Sequence, residues 1–134
     1  MKTITTLILL LAILSAGNLA HAAPVVVATN PVNGAQHVYV GMSATVTFSV
    51  PVDASTINAA SFVLKQNDDM GHVILARITY VEPTAIFTPL NNLEADTWHT
   101  CIITTEVKDH AGEPLKVDHV WLFKTGGLPP LTHE

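Results

Sequence analysis

The sequence predicts an all-β fold, a Greek-key β-sandwich of about seven strands, and three observations carry that expectation. Short alternating or β-branched segments recur at close spacing, turn-forming residues separate them, and no long amphipathic helical pattern appears beyond the opening segment. Seven such strands in about 100 residues are the pattern of two stacked antiparallel sheets that share one core.

The elements follow in order. Val25 to Ala28 is a β-branched run, closed by Asn30-Pro31 and Asn33-Gly34. Ala44 to Ser49 alternates with period two, placing Ala44, Val46 and Phe48 on one face, and Pro51 stops it. Asp53 to Asn58 reads as a single helical turn capped by Asp53. Ser61 to Gln66 is a third strand, followed by the polar turn Asn67-Asp68-Asp69-Met70-Gly71. Val73 to Tyr80 is longer, with Ile74, Ala76, Ile78 and Tyr80 sharing a face, and Glu82-Pro83 ends it. Thr84 to Thr88, Thr97 to Thr105 and Val120 to Thr125 complete the set, with turns at Pro89 to Asp96 and Asp109 to Gly112. Parity along these strands predicts a core of Val46, Phe48, Phe62, Leu64, Ile78, Tyr80, Phe87, Trp98, Ile102, Trp121 and Phe123.

The opening residues have a different grammar. Lys2 precedes an apolar run from Ile4 to Ile13, Ser15, Gly17 and Asn18 break it, and Ala20-His21-Ala22 supplies small residues at −3 and −1 of a cleavage site. This is the pattern of a secretory signal, and the run is shorter than the roughly 20 apolar residues a spanning helix needs. Residues 1–22 therefore read as a cleaved signal peptide, 23–126 as one domain and 127–134 as a flexible tail. The expected location is secreted or periplasmic.

Charge and cysteine count narrow the function classes. The chain of 134 residues has formal net charge −5, and loss of Lys2 lowers it to −6. Without a basic footprint, nucleic acid is not the expected partner. A single cysteine, Cys101, excludes an intrachain disulfide, so the domain rests on its core.

The turns and strands also carry a family likeness. Asn30-Pro31-x-x-Gly34 and Val46-Thr47-Phe48-Ser49-x-Pro51-Val52-Asp53 are followed by Phe87-Thr88-Pro89-x-x-x-Leu93 and Thr97-Trp98. Val107-Lys108-Asp109-x-x-Gly112-x-Pro114-Leu115 and Trp121-x-Phe123-x-Thr125 complete the order. This order, from about Pro24 to Gly126, resembles the bacterial Ig-like domain of the SbsA type, found in S-layer and multidomain surface proteins. The resemblance implies an Ig-like sandwich and a non-catalytic structural or protein-interaction role at the cell envelope. The family often has Tyr at the position of Trp98 and Asn at that of Glu113. Its members usually occur as repeats, which weakens the carry-over of a spacer role to a single copy.

Chemistry-bearing patterns are sparse. No Gly-x-Ser-x-Gly elbow or phosphate-cradling glycine loop occurs, and the carboxylates are scattered, so an enzyme is not expected and no cofactor is implied. Histidine is the unusual count at seven, and two stand directly after an aspartate, as Asp109-His110 and Asp118-His119. Imidazole with carboxylate suits copper or zinc. In size and plan the chain also resembles periplasmic copper carriers of the CopC type, so a small periplasmic metal-binding protein is the alternative, with His110, Asp109, His119 and Asp118 as candidate ligands. That family's site relies on an N-terminal histidine, which cleavage after Ala22 would remove. Aspartates at turns, among them Asp53, Asp68 and Asp69, suit calcium but lack the spacing of a calcium loop.

The remaining signal is apolar. With Trp98, Ile102, Trp121 and Phe123 inward, Cys101, Ile103, Val120 and Leu122 form an outward strip, the expected interaction surface. An unidentified protein or envelope component, or a second copy through self-association, is the expected partner. No membrane-spanning segment is expected after cleavage.

Overall fold

The computed structural model describes residues 22–128, so the signal-peptide expectation and most of the tail lie outside the described residues. Among the described residues, eight strands form two four-stranded sheets. They are β1 (Val26–Asn30), β2 (Ala35–Val38), β3 (Ala44–Phe48), β4 (Phe62–Gln66), β5 (Ala76–Val81), β6 (Thr84–Pro89), β7 (Trp98–Ile103) and β8 (His119–Thr125). The first sheet has the order β1-β3-β6-β5 and is antiparallel throughout; the second has the order β2-β8-β7-β4, with only the β2–β8 pair parallel. The β-sandwich expected from the alternation, with the Ig-like plan that the resemblance implies, is therefore present.

Alternation explains most of the packing. Ala44, Val46 and Phe48 face inward from β3, and Ala85 and Phe87 from β6. Phe62 and Leu64 of β4 and Trp121 and Phe123 of β8 meet them from the second sheet. Phe62 joins the layers, with its ring centroid 5.2 Å from that of Phe87 and 6.3 Å from that of Trp121. Ile78 and Tyr80, on the edge strand β5, pack against this core while remaining partly buried.

The helical turn is a short 3-10 segment, Ala54–Thr56, capped by Asp53. The Asp53 carboxylate accepts from the Ser55 amide (3.0 Å) and hydroxyl (2.8 Å). Those hydrogen bonds hold its carboxyl below the ordinary value.

Two departures from the sequence reading concern strand boundaries. β2 carries no alternating apolar pattern and forms because the Asn33-Gly34 turn delivers it beside β8. Gly34 has φ +83°, a conformation suited to glycine, and its amide donates to Leu122 O at 2.7 Å. The long strand expected from Val73 to Tyr80 is divided between the sheets. Residues 72–74 lie against β4, with Gln66 N donating to His72 O and Ile74 N to Leu64 O, whereas β5 pairs with β6.

Candidate functional site

The outer face of the second sheet is set by register. On β7 and β8, Cys101 lies opposite Trp121, Ile103 opposite His119 and Ile102 opposite Val120. Residues directly opposite in an antiparallel pair share a face. Trp121 is buried in the core, so Cys101 and Ile103 are carried inward with it, and both are 0% exposed. This corrects the expected strip: Cys101 and Ile103 belong to the core, and Trp98 and Ile102, expected inside, face outward. Trp98 is 36% exposed, and Val120 and Leu122, as expected, lie outside at 51% and 37%.

The corrected face is more apolar than the expected one. Trp98, Ile102, Val120 and Leu122 stand with Val63, which lies opposite Ile102 on β4. Lys65 and Lys124, opposite Thr100 and Trp98, are the charged side chains at outward positions of β4, β7 and β8. The Thr100 hydroxyl donates to Asn67 Oδ1 at 2.7 Å, and Asn33 Oδ1 accepts from the Leu122 amide at 3.0 Å. The face is thus an apolar area interrupted by Thr100, Lys65 and Lys124 and held by side-chain bonds at its margins.

Behind it sits the buried His99. Its Nδ1 donates to Thr97 O at 3.0 Å and its ring stacks on Phe123 with centroids 5.2 Å apart. Nε2 has no hydrogen-bond partner among the described residues, as is also true of Trp121 Nε1. Burial pushes the His99 pKa down, against the opposing effects of Thr97 O and the Glu94 charge. Burial likewise pushes the Cys101 thiol far above its ordinary value, which keeps it from acting as a nucleophile in the folded protein.

The candidate metal ligands do not converge. The Asp109 carboxylate accepts from the amides of Ala111 and Glu113, both at 2.9 Å, and so shapes its own turn. Asp118 accepts from the Thr105 amide at 3.0 Å. His110 approaches Glu82 at 3.7 Å beside Val50 and Pro51, while His119 packs near Trp121 with ring centroids 5.6 Å apart and lines a cleft with β1. Among the described residues, no group of three or more His, Cys, Asp or Glu side chains is placed to hold a metal ion. Likewise, no helix among them is long and apolar enough to cross a membrane.

Sequence reasoning missed His99, which lies on the strand whose parity was misassigned, and missed the cleft beside β1. The free apolar run Val25 to Ala28 was the available sign of the latter.

Comparison with known proteins agrees with the geometry. The family model described as the bacterial Ig-like domain matches residues 20–125. No curated sequence matches the chain. Among solved structures, domains 1–6 of the surface layer protein SbsC are similar at TM-score 0.60 and 21% identity, over 88% of this chain and 16% of that one. CopC from Methylosinus trichosporium OB3b has TM-score 0.60 and 11% identity, over 81% of this chain and 99% of that one. The native conformation of E. coli alpha-2-macroglobulin contains a similar region, with TM-score 0.60, 13% identity and coverage of 84% and 7%. The chain thus spans about a sixth of the solved SbsC domains 1–6 and nearly all of the CopC structure. At these identities the likeness is one of fold.

Proposed function

Because the chain belongs to the bacterial Ig-like domain family, we propose that it is an exported, non-catalytic module of the cell envelope that acts by contact. The observation that carries this reading is the outer face of the second sheet, where Trp98, Val120 and Leu122 are exposed around the partly buried Ile102. Contiguous exposed apolar area on a small domain marks an interaction site more often than scattered apolar residues do. The likeness to surface layer protein domains supports an envelope setting, and the Ala20-His21-Ala22 site supports export. The partner in this reading is an envelope protein or a second copy of the chain.

The test is the double variant Ile102→Lys/Leu122→Lys in the full chain expressed in its native host. The variant is expected to fold, because both side chains point outward, and to lose self-association by sedimentation and retention in the envelope fraction. Unchanged association and retention in a folded variant would move the contact surface elsewhere. The metal-binding alternative is favoured by one observation, the likeness to CopC over nearly that whole chain. Calorimetric titration with copper(II) and zinc(II) decides it, since stoichiometric binding would place metal ahead of contact.

A further inference from the structure

A second surface lies on the side of the sandwich, where β1 ends the first sheet and β2 covers only part of β8. Two contiguous hollows of about 390 Å³ each run along this side and share Val26 and His119. One is lined by Val26 to Thr29, Val32 and His119; the other continues past Val25 to Pro24 and Ala23 and is closed by residues 115–117.

Among the described residues, the main chain of β1 presents an edge with no neighbouring strand on one side. Val25 turns its amide and carbonyl toward β3, donating to Ser49 Oγ at 3.0 Å and accepting from Ser49 N at 2.8 Å. Strand periodicity then directs the Val26 amide and carbonyl away from β3, into the cleft. On β8, Leu122 accepts from Gly34 N and donates to Asn33 Oδ1, so its polar groups face away from β7. By the same period those of Val120 do too, at a level that β2, which starts at Ala35, does not reach.

The other sheet edges are covered, charged or shortened, whereas β1 carries a single register irregularity, between Val26 and Ala28. Residues 72–74 cover β4, Arg77 charges β5, and β2 is four residues long and interrupted by His37 at φ +58°. Natural edges are commonly blunted by such covers, charges and irregularities. β1 instead offers Val26 to Thr29 without a charged residue, and Val27 is 59% exposed. Among the described residues, the titratable side chains lining the cleft are Lys116 and His119 and none is a carboxylate, on a chain of net charge −5.

We propose that this cleft binds an extended, carboxylate-bearing apolar peptide segment of another protein, which adds as a strand to the free edge of β1. Main-chain bonds to β1 supply affinity without demanding one sequence, the valines take alternate apolar side chains, and Lys116 and His119 select for acidic ones. This surface is separate from the outer face of the second sheet, and the inference does not depend on that face being a contact site.

The test uses the isotopically labelled full mature chain and an acetylated, amidated hexapeptide of alternating glutamate and valine. Binding is expected to slow amide exchange at Val26 and to shift the resonances of Val27, Lys116 and His119. A lysine–valine counterpart and a peptide N-methylated along its bonding edge are each expected to bind at least tenfold more weakly, and Lys116→Glu to reduce affinity for the glutamate peptide by a similar factor. Val26→Pro, which removes the edge donor, is expected to abolish the peptide-induced shifts of Val27, Lys116 and His119. Should that variant not fold, the N-methylated peptide answers the same question. Absence of binding, equal binding of the lysine peptide, or indifference to N-methylation would overturn the proposal. Concentration-dependent protection of Val26 without peptide would also overturn it, by assigning the edge to a second copy.

Discussion

The two faces of β7 are built from similar residue types and do opposite work. One carries His99, Cys101 and Ile103, the other Trp98, Thr100 and Ile102. The face with the large indole is the solvent face, and the face with the imidazole and the thiol is the core. Hydrophobic bulk therefore does not decide which side of a strand is buried when both sides are apolar enough. The decision comes from the neighbour: β8 has one unambiguous inward pair, Trp121 and Phe123, and its register with β7 imposes that orientation.

The sharpest way to break this comparison is truncation of each tryptophan. Trp121→Ala is expected to cost about 3–5 kcal/mol in urea unfolding, enough to threaten folding, while Trp98→Ala is expected to cost less than about 1 kcal/mol. Similar losses at both positions would mean that the outer face is covered in the folded protein.

Charge on the adjacent isoleucines gives the next contrast. Ile103→Lys is expected to leave little folded protein, because an unpaired ammonium has no partner in that core, whereas Ile102→Lys is expected to unfold within about 0.5 kcal/mol of the parent. Circular dichroism during thermal unfolding reads both, and a folded Ile103→Lys would contradict the register of β7.

The buried imidazole sharpens the comparison by pH. Because burial lowers the His99 pKa from 6.5, the unfolded chain binds its proton at higher pH than the folded chain does. Stability attributable to this group is intact above about pH 6.5 and is lost as pH falls toward the folded-state value. His99→Leu is expected to show a shallower loss of stability below pH 6.5 in urea titrations. An unchanged slope would show that His99 titrates normally.

The smallest effect is chemical. Cys101 is expected to react with a thiol reagent only after denaturant is added, since the side chain is buried and its thiolate is disfavoured. Rapid labelling of the folded chain would place the inner face of β7 in contact with solvent.

These contrasts separate what is legible along the chain from what is not. Period-two alternation in Ala44 to Phe48 and Thr84 to Phe87, the Asp53 cap and the spacing of turns were enough to specify a sandwich, because each depends on neighbours within a few residues. Trp121 and Phe123 were legible for the same reason: their strand has one strongly apolar aromatic parity. The short β2, the division of residues 73–81 between two sheets and the orientation of β7 were not. Each is decided by a partner outside the segment itself: Leu122 for Gly34 at the entry to β2, β4 for residues 72–74, and Trp121 for Cys101. The contact surface followed the same rule, for Val120 and Leu122 were read correctly from their own strand while Cys101 and Ile103 were exchanged for Trp98 and Ile102. Local sequence determined most of the segments that form strands, since backbone preference and alternation are local properties. Tertiary structure alone decided which face of an evenly apolar strand meets water, since burial is conferred by the strand lying opposite.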